Sequence, residues 1–415
     1  MNQNNRTAST PRSHRAAPNR KLVATGVIAG AAAGAWVVNR MRSAPLPVTQ
    51  REESTKPLMD WEQARSIATN MNRGAALTAS ERHRLDTYYQ KLGDLCVPIV
   101  GRYMGVELPP DVGRPFAFDR VDWVNANIDA FRHMLSPLEP LLAGTSPQTE
   151  SPFSTIVGSV NRRIVGVQLG VLLGYLARRV LGQYDIALLG REPMDNGKLY
   201  YVEPNIKHLE TTMKLPGDEF RTWLALHETT HVYQFEAFPW VRPHFNSMLE
   251  RYFGYLKDDA QHLSESLRNL KVFVDRARSS GDSSGSWMEA LMNDEQRSLF
   301  SEMQAMMCII EGYSNHVMNA VGRDLLKNYE SISKKFEHRQ RNRSRAEQLF
   351  AKITGLDMKI EQYRQGQAFV DAIVAKRGHD TVMTVWNGPE SMPTLEEIRQ
   401  PDLWLARVIA GSGTD

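Results

Sequence analysis

Cysteine is scarce in this sequence, which contains only Cys96 and Cys308. Two cysteines so far apart do not indicate a disulfide framework, and they are too few for a thiolate zinc site. Any metal ion that the chain binds must therefore be held by histidine and carboxylate groups.

The sequence also lacks a strong excess of charge, with a formal net charge of only +3 over 415 residues. The excess comes from the eight basic residues that precede the first acid, Glu52: Arg6, Arg12, Arg15, Arg20, Lys21, Arg40, Arg42 and Arg51. Without them, 42 basic residues face 47 acidic ones, and a mildly acidic remainder argues against a nucleic-acid surface. A basic cluster at 334–345 contains only Phe336 as an aromatic residue, which favours a solvated helix face over RNA binding. We therefore predict no nucleic-acid partner.

Long hydrophobic runs are few, and the first is the uncharged stretch from residue 22 to residue 38. Its length is at the lower limit for a membrane span, and basic residues flank it on both sides. We interpret it as an uncleaved membrane anchor, with a signal peptide or a small-residue soluble helix as alternatives. Residues 1–56 are predicted to be a basic, disordered head with this segment and a linker, and residues 57–415 to be the folded domain. The predicted location is membrane-associated, with the cytoplasm as the alternative.

A second apolar run contains Gly166, Gly170 and Gly174, which recur every four residues. Charged residues leave only about fourteen uncharged positions here, which suits a buried core helix better than a membrane span. Because glycine has no side chain, this face of the helix allows another backbone to approach closely.

The most informative motif is H-E-x-x-H, formed by His227, Glu228 and His231. Two histidines four residues apart project from one face of a helix, where they can share a metal ion. Glu228 lies beside them and is suited to take a proton from a metal-activated water. A chance match on a solvated helix is the alternative, but apolar residues flank the motif and predict a buried helix.

The third metal ligand must come from elsewhere in the chain, because catalytic zinc normally has three protein ligands. No histidine follows at the x-x-G-x-x-H spacing, where Gln234 stands instead. A carboxylate from a second helix is the remaining common solution. Glu311 is a single acid within a strongly apolar stretch, and a metal would satisfy its buried charge. Glu302 and Glu236 are rivals, although one lies in a more polar stretch and the other follows the motif too closely.

Further polar residues near Glu311 offer supporting roles. Asn315, one turn beyond it, is a candidate hydrogen-bond partner for a ligand histidine. Tyr313 and His316 are candidates to face a developing oxyanion. Each of the three could equally be a polar residue satisfied inside the core.

The remaining pattern is mainly helical, with one β-type run at Lys198–Glu203 shortly before the motif. In a hydrolase, an exposed edge strand at this place could pair with an extended peptide substrate. A short structural hairpin is an equally good interpretation. The predicted fold class is therefore mainly α, with a small β element preceding the H-E-x-x-H helix.

Taken together, these motifs resemble a zincin-like, zinc-dependent metallopeptidase family that is mostly actinobacterial and was long described as a domain of unknown function. The matching stretches are Asp60-Trp61, Val121-Asp122-Trp123, Asn125-Ala126-Asn127, a run that begins at 168–170 and ends at 181–185, 202–205, 220–231, Gln234-Phe235, Pro239-Trp240, Glu311-Gly312, 316–318, Gly388-Pro389 and 395–398. The resemblance implies a helical zincin domain over residues 57–415, with His227, His231 and Glu311 as Zn²⁺ ligands and Glu228 as the base. It also implies an association with biosynthesis of a deazaflavin coenzyme.

Two departures from the family pattern are evident. The basic head before residue 44 is not part of the pattern, so a location cannot be inferred from the family. Asn315 stands where an acidic residue is expected, which would weaken the orientation of a ligand histidine.

These observations predict a zinc-dependent hydrolase of the metallopeptidase type, in which a metal-activated water attacks a carbonyl group of a peptide or protein substrate. The alternative is a non-catalytic zincin scaffold that acts as a membrane-linked binding protein. A third hypothesis is hydrolysis of a non-peptide amide or ester. The intact Glu228 favours a hydrolase, because a non-catalytic metal site has no evident need for a base.

Overall fold

A computed structural model describes residues 59–74, 76–110, 112–135, 162–184, 198–258, 293–341 and 356–411. The predicted head, including its candidate membrane segment at 22–38, lies outside these ranges. Within them, no helix is both long enough and apolar enough to cross a membrane.

The described residues form α-helices and one small sheet, which confirms the predicted mainly helical class. In chain order the elements are α1 Trp61–Met71, α2 Ala79–Met104, β1 Pro115–Phe118, α3 Arg120–Leu135, α4 Arg162–Leu176, β2 Gly182–Tyr184, β3 Leu199–Val202, α5 Glu203–Met213, α6 Gly217–Glu236, α7 Val241–Asp258, α8 Asp294–Leu325, α9 Tyr329–Arg341, α10 Leu356–Arg377, α11 His379–Met383, the 3-10 turns Thr384–Trp386 and Pro389–Ser391, α12 Leu395–Arg399 and α13 Pro401–Gly411.

Local capping signals determine where the long helices begin. A capping box of Thr78 and Glu81 starts α2, and Asn293 with Gln296 starts α8 in the same way. Helix α6 has no side-chain cap, but its first turn carries two acidic residues. Their negative charges stabilise the helix by interacting with the positive end of its dipole.

The sheet has the order β1-β3-β2, with β1 parallel and β2 antiparallel to β3. The β-type run at Lys198–Glu203 does form a strand, but β3 is central among the described strands, so of the two interpretations of this run the exposed edge strand is wrong. The prediction missed β1 and β2, which cover both sides of β3 and satisfy its backbone groups. The carboxyl end of β3 leads directly into α5 and then α6.

The glycine face of α4 packs directly against α1, which confirms the predicted close approach. A Cβ atom would lie 2.6 Å from Asp60 O at Gly166, 2.7 Å from Ala64 O at Gly170 and 2.7 Å from Met71 Sδ at Gly174. A flank of the glycine face carries the exposed Val167 and Val171, so the core prediction holds for only part of the helix surface.

Arg221 anchors the first half of α6 to its neighbours. Its guanidinium donates to both oxygens of Glu203 on α5, at 2.7 and 2.8 Å, and to Glu210 Oε1 at 2.6 Å. Tyr89 on α2 donates to Glu203 Oε2 at 2.6 Å. Bidentate, charge-assisted bonds of this kind combine strength with fixed geometry. They therefore fix the positions of α2, α5 and α6 relative to one another.

From Leu224 to Phe235, α6 is buried on almost every side. Leu224, Ala225, Leu226 and Val232 belong to the main hydrophobic core, as the apolar flanks of the motif predict. Helix α6 contacts α2, α8 and strand β2. The backbone that carries the motif is therefore fixed by packing rather than by the polar residues themselves.

Candidate metal centre

The two histidines of the motif lie on successive turns of α6 with their rings close together. The ring centroids are 4.7 Å apart and the rings are nearly perpendicular. The Nε2 atoms of His227 and His231 are 3.2 Å apart. The same nitrogen of each ring is thus presented to one point in space.

Helix α8 brings Glu311 to this point. Its Oε2 atom lies 3.7 Å from His227 Nε2 and 3.8 Å from His231 Nε2. These are the three residues that the sequence predicts as metal ligands, and within the described ranges they form the one such group that could hold a metal ion.

The rival carboxylates lie in other interactions. Glu302 is half-exposed and faces His244 Nε2 at 3.5 Å. Glu236 accepts a hydrogen bond of 2.6 Å from Arg242. Neither belongs to the group formed by the two histidines and Glu311.

The spacing of the three donor atoms suits a zinc ion. Bonds of about 2.0–2.1 Å in a tetrahedral arrangement place ligand atoms about 3.3 Å from one another. The separations here are 3.2, 3.7 and 3.8 Å, so small movements would complete the coordination. Two imidazoles and one carboxylate are also a known donor set for catalytic zinc.

His227 is suited to binding a metal in its neutral form. Burial, and after it the nearby His231, lowers the pKa of His227 to about 3. His227 is therefore neutral at pH 7, and a proton does not compete for its lone pair.

A hydrogen-bond chain behind His231 determines which of its nitrogens carries the proton. Gln234 Nε2 donates to Ile310 O at 2.7 Å, so Gln234 Oε1 faces His231 Nδ1 at 2.8 Å and accepts from it. Ser314 Oγ also lies 3.2 Å from this nitrogen. The proton is held on Nδ1, and Nε2 is left free as a ligand.

Replacing Gln234 with Ala is expected to weaken zinc binding by about 10–100-fold, as loss of a histidine's outer partner typically does. The dissociation constant is measured by competition with a chromophoric chelator at fixed pH. Ser314→Ala is the matched control and should have a smaller effect, because its contact with His231 is longer. Equal affinity of the Gln234→Ala and unchanged proteins would show that Gln234 does not orient His231.

The three candidate supporting residues, Asn315, Tyr313 and His316, make no hydrogen bond to His227 or His231 among the described residues. Asn315 makes no side-chain hydrogen bond to either histidine within the described part of the chain. Tyr313 bonds to His379 Nε2 at 2.9 Å, and His316 lies between other side chains. These contacts favour the alternative interpretation, in which Tyr313 and His316 are polar residues satisfied inside the core.

Helix geometry explains the contacts of Tyr313 and His316. At about 100° per residue, Tyr313 lies about 200° and His316 about 140° around α8 from Glu311. His316 instead connects Tyr103 on α2, at 2.7 Å, with Asp371 on α10, at 2.6 Å. These residues join the helices on the far side of α8.

Glu228 faces the sheet rather than α8. It is only 6% exposed, and its carboxyl end lies against Gly182 at the start of β2. Burial, and after it the negative charge of Glu228, raises the pKa of Tyr201 on β3 well above its usual value. The carboxylate therefore lies between the motif helix and the sheet.

Sequence reasoning missed Gln234, Ser314 and Gly182 as parts of the site. A signal existed for Gln234, because a residue three positions after His231 shares its helix face. No comparable signal existed for Gly182, which reaches Glu228 only through the fold.

Comparison with known proteins agrees with these observations. The model of the zincin-like metallopeptidase family matches residues 59–405. A protein from Chloroflexus aurantiacus, described as a candidate hydrolase with a novel fold, is 37% identical with a TM-score of 0.62, and the match covers 84% of this chain and 98% of that one. The sequence has no match among curated proteins. Members of this family are expected to bind a metal ion. The chain belongs to the zincin-like metallopeptidase family.

Proposed function

We propose that the protein is a zinc-dependent hydrolase that cleaves peptide bonds. The observation that carries this proposal is the convergence of His227, His231 and Glu311 on one point, with Glu228 next to His227 on the same helix. A site that only stored or sensed a metal would not require a buried carboxylate beside it.

In this proposal His227 Nε2, His231 Nε2 and Glu311 Oε2 hold the zinc ion. When bound, zinc polarises a carbonyl group and lowers the pKa of water to about 7. The carboxylate of Glu228 accepts a proton from the attacking water and passes it to the leaving nitrogen. The Gln234 amide keeps the His231 ring in its orientation throughout.

A peptide is the proposed substrate class because of the strand next to Glu228. Among the described strands β2 is at an edge of the sheet, and Gly182 at its start touches Glu228. An extended peptide can add to a sheet edge through main-chain hydrogen bonds. The family description supports the same assignment, and the similarity to a candidate hydrolase supports hydrolysis as the reaction class.

The test is cleavage of a mixed library of fluorogenic peptides by the full chain loaded with zinc. We expect turnover that a zinc chelator abolishes and that added zinc restores. Zinc binding without any cleavage of peptides, amides or esters would contradict the proposal and favour a non-catalytic scaffold.

A further inference from the structure

Gly182 lies where a side chain would collide with the carboxyl end of Glu228. A Cβ atom at this position would be 2.6 Å from Glu228 Oε1, 2.7 Å from its Cδ and 2.9 Å from its Cγ. Favourable contacts between carbon atoms lie at about 3.5–4.0 Å. Three atoms of one side chain therefore occupy space that any residue other than glycine would fill.

The strand that carries Gly182 is fixed by its contacts, so it cannot easily move away from Glu228. Gly182 is in register with Tyr201 in the antiparallel β2–β3 pair. The next residue, Gln183, accepts a hydrogen bond of 2.6 Å from the indole of Trp123 on α3. Both the backbone ladder and this side-chain bond fix β2 relative to the rest of the domain.

The backbone of helix α6 cannot easily move away from Gly182 either. The residues on either side of Glu228 along the helix are packed in the core, including Leu226 and Val232, which are at most 2% exposed. A well-packed core resists backbone shifts. If a side chain were added at position 182, the group that would move is the carboxyl end of Glu228, because its side-chain bonds can rotate. The space around it is small.

We propose that Gly182 is a positioning residue for Glu228: the absence of a side chain on β2 leaves the space that the Glu228 carboxylate occupies between the motif helix and the sheet. The proposal rests on the proposed function, because it takes Glu228 as the proton acceptor. It adds that the sheet, and not only the motif helix, determines the position of the base.

The test compares four proteins: the unchanged chain, Gly182→Ala, Glu228→Asp and the double variant. Gly182→Ala should lower kcat by about 100-fold, the loss that a displacement near 1 Å can cause, with KM and zinc content little changed. Aspartate is one methylene shorter, so adding Gly182→Ala to Glu228→Asp should cause a smaller further loss. Gly254→Ala is the control, because a Cβ there meets nothing within 4 Å, and it should keep full activity.

Thermal unfolding of the same four proteins tests the contact without any assay of activity. Gly182→Ala should lower Tm when position 228 is Glu and should lower it less when position 228 is Asp. Equal Tm losses in both backgrounds, or unchanged kcat in an active Gly182→Ala protein, would overturn the proposal. If the unchanged protein hydrolyses nothing, the proposed function fails, and the Tm cycle still shows whether Gly182 and Glu228 compete for space.

Discussion

Replacing Glu228 with Gln is expected to lower kcat/KM for peptide hydrolysis by about 10²–10⁴-fold, the usual contribution of a positioned general base. Glutamine has nearly the same shape but cannot accept the proton from water. Because Glu228 is not among the three converging ligands, zinc content should stay unchanged. The measurement is steady-state kinetics on the best library peptide, with zinc quantified in the same samples.

Glu302→Gln is the matched control for this variant. The Glu302→Gln variant has the same carboxylate-to-amide change, but at a half-exposed position on α8 that faces His244. Its activity should therefore remain. Full activity in the Glu228→Gln protein would show that another group takes the proton and would remove the catalytic role assigned to Glu228.

Replacing Glu311 with Ala is expected to weaken zinc affinity by more than the 10–100-fold that follows loss of an outer partner. The variant removes the one anionic donor and leaves two neutral imidazoles. Any zinc-dependent rise in Tm should shrink accordingly, because a ligand stabilises the folded state by mass action. Affinity is measured by chelator competition and Tm by thermal unfolding with and without zinc.

The Glu302→Ala protein serves as the control for this loss, since it removes the rival carboxylate from the same helix. It should bind zinc as the unchanged protein does. If Glu311→Ala kept its zinc and Glu302→Ala lost it, the third ligand would have been assigned to the wrong carboxylate.

The parts of the fold that local signals encode were predictable from sequence. The Thr78–Glu81 capping box marks the start of α2, and the glycine spacing in α4 predicts a close backbone approach, which α1 makes. The apolar flanks of the motif likewise predict the burial of α6. Each of these signals acts over a few residues, which is why the sequence alone carries it.

The convergence of His227 and His231 with Glu311 could be predicted for a different reason. A lone acid in an apolar helix needs a partner, and a metal site supplies one. The helix surface around it was harder to assign, because burial does not say which neighbour a side chain faces. Tyr313 and His316 share the helix with Glu311 but face α10 and α11 instead.

The small sheet shows the limit of such reasoning. Strands β1 and β2 span four and three residues, too short for a clear alternation of polar and apolar side chains. Their pairing with β3 depends on contacts distant in sequence. Both the central place of β3 and the contact of Gly182 with Glu228 arise only from that pairing.

The most direct test of the central claim is a crystal of the zinc-loaded protein measured at the zinc absorption edge. We predict one strong anomalous peak per chain, between the Nε2 atoms of His227 and His231 and the Oε2 atom of Glu311. A peak at other residues, or no peak in protein that cleaves peptides, would contradict the assignment of this metal centre.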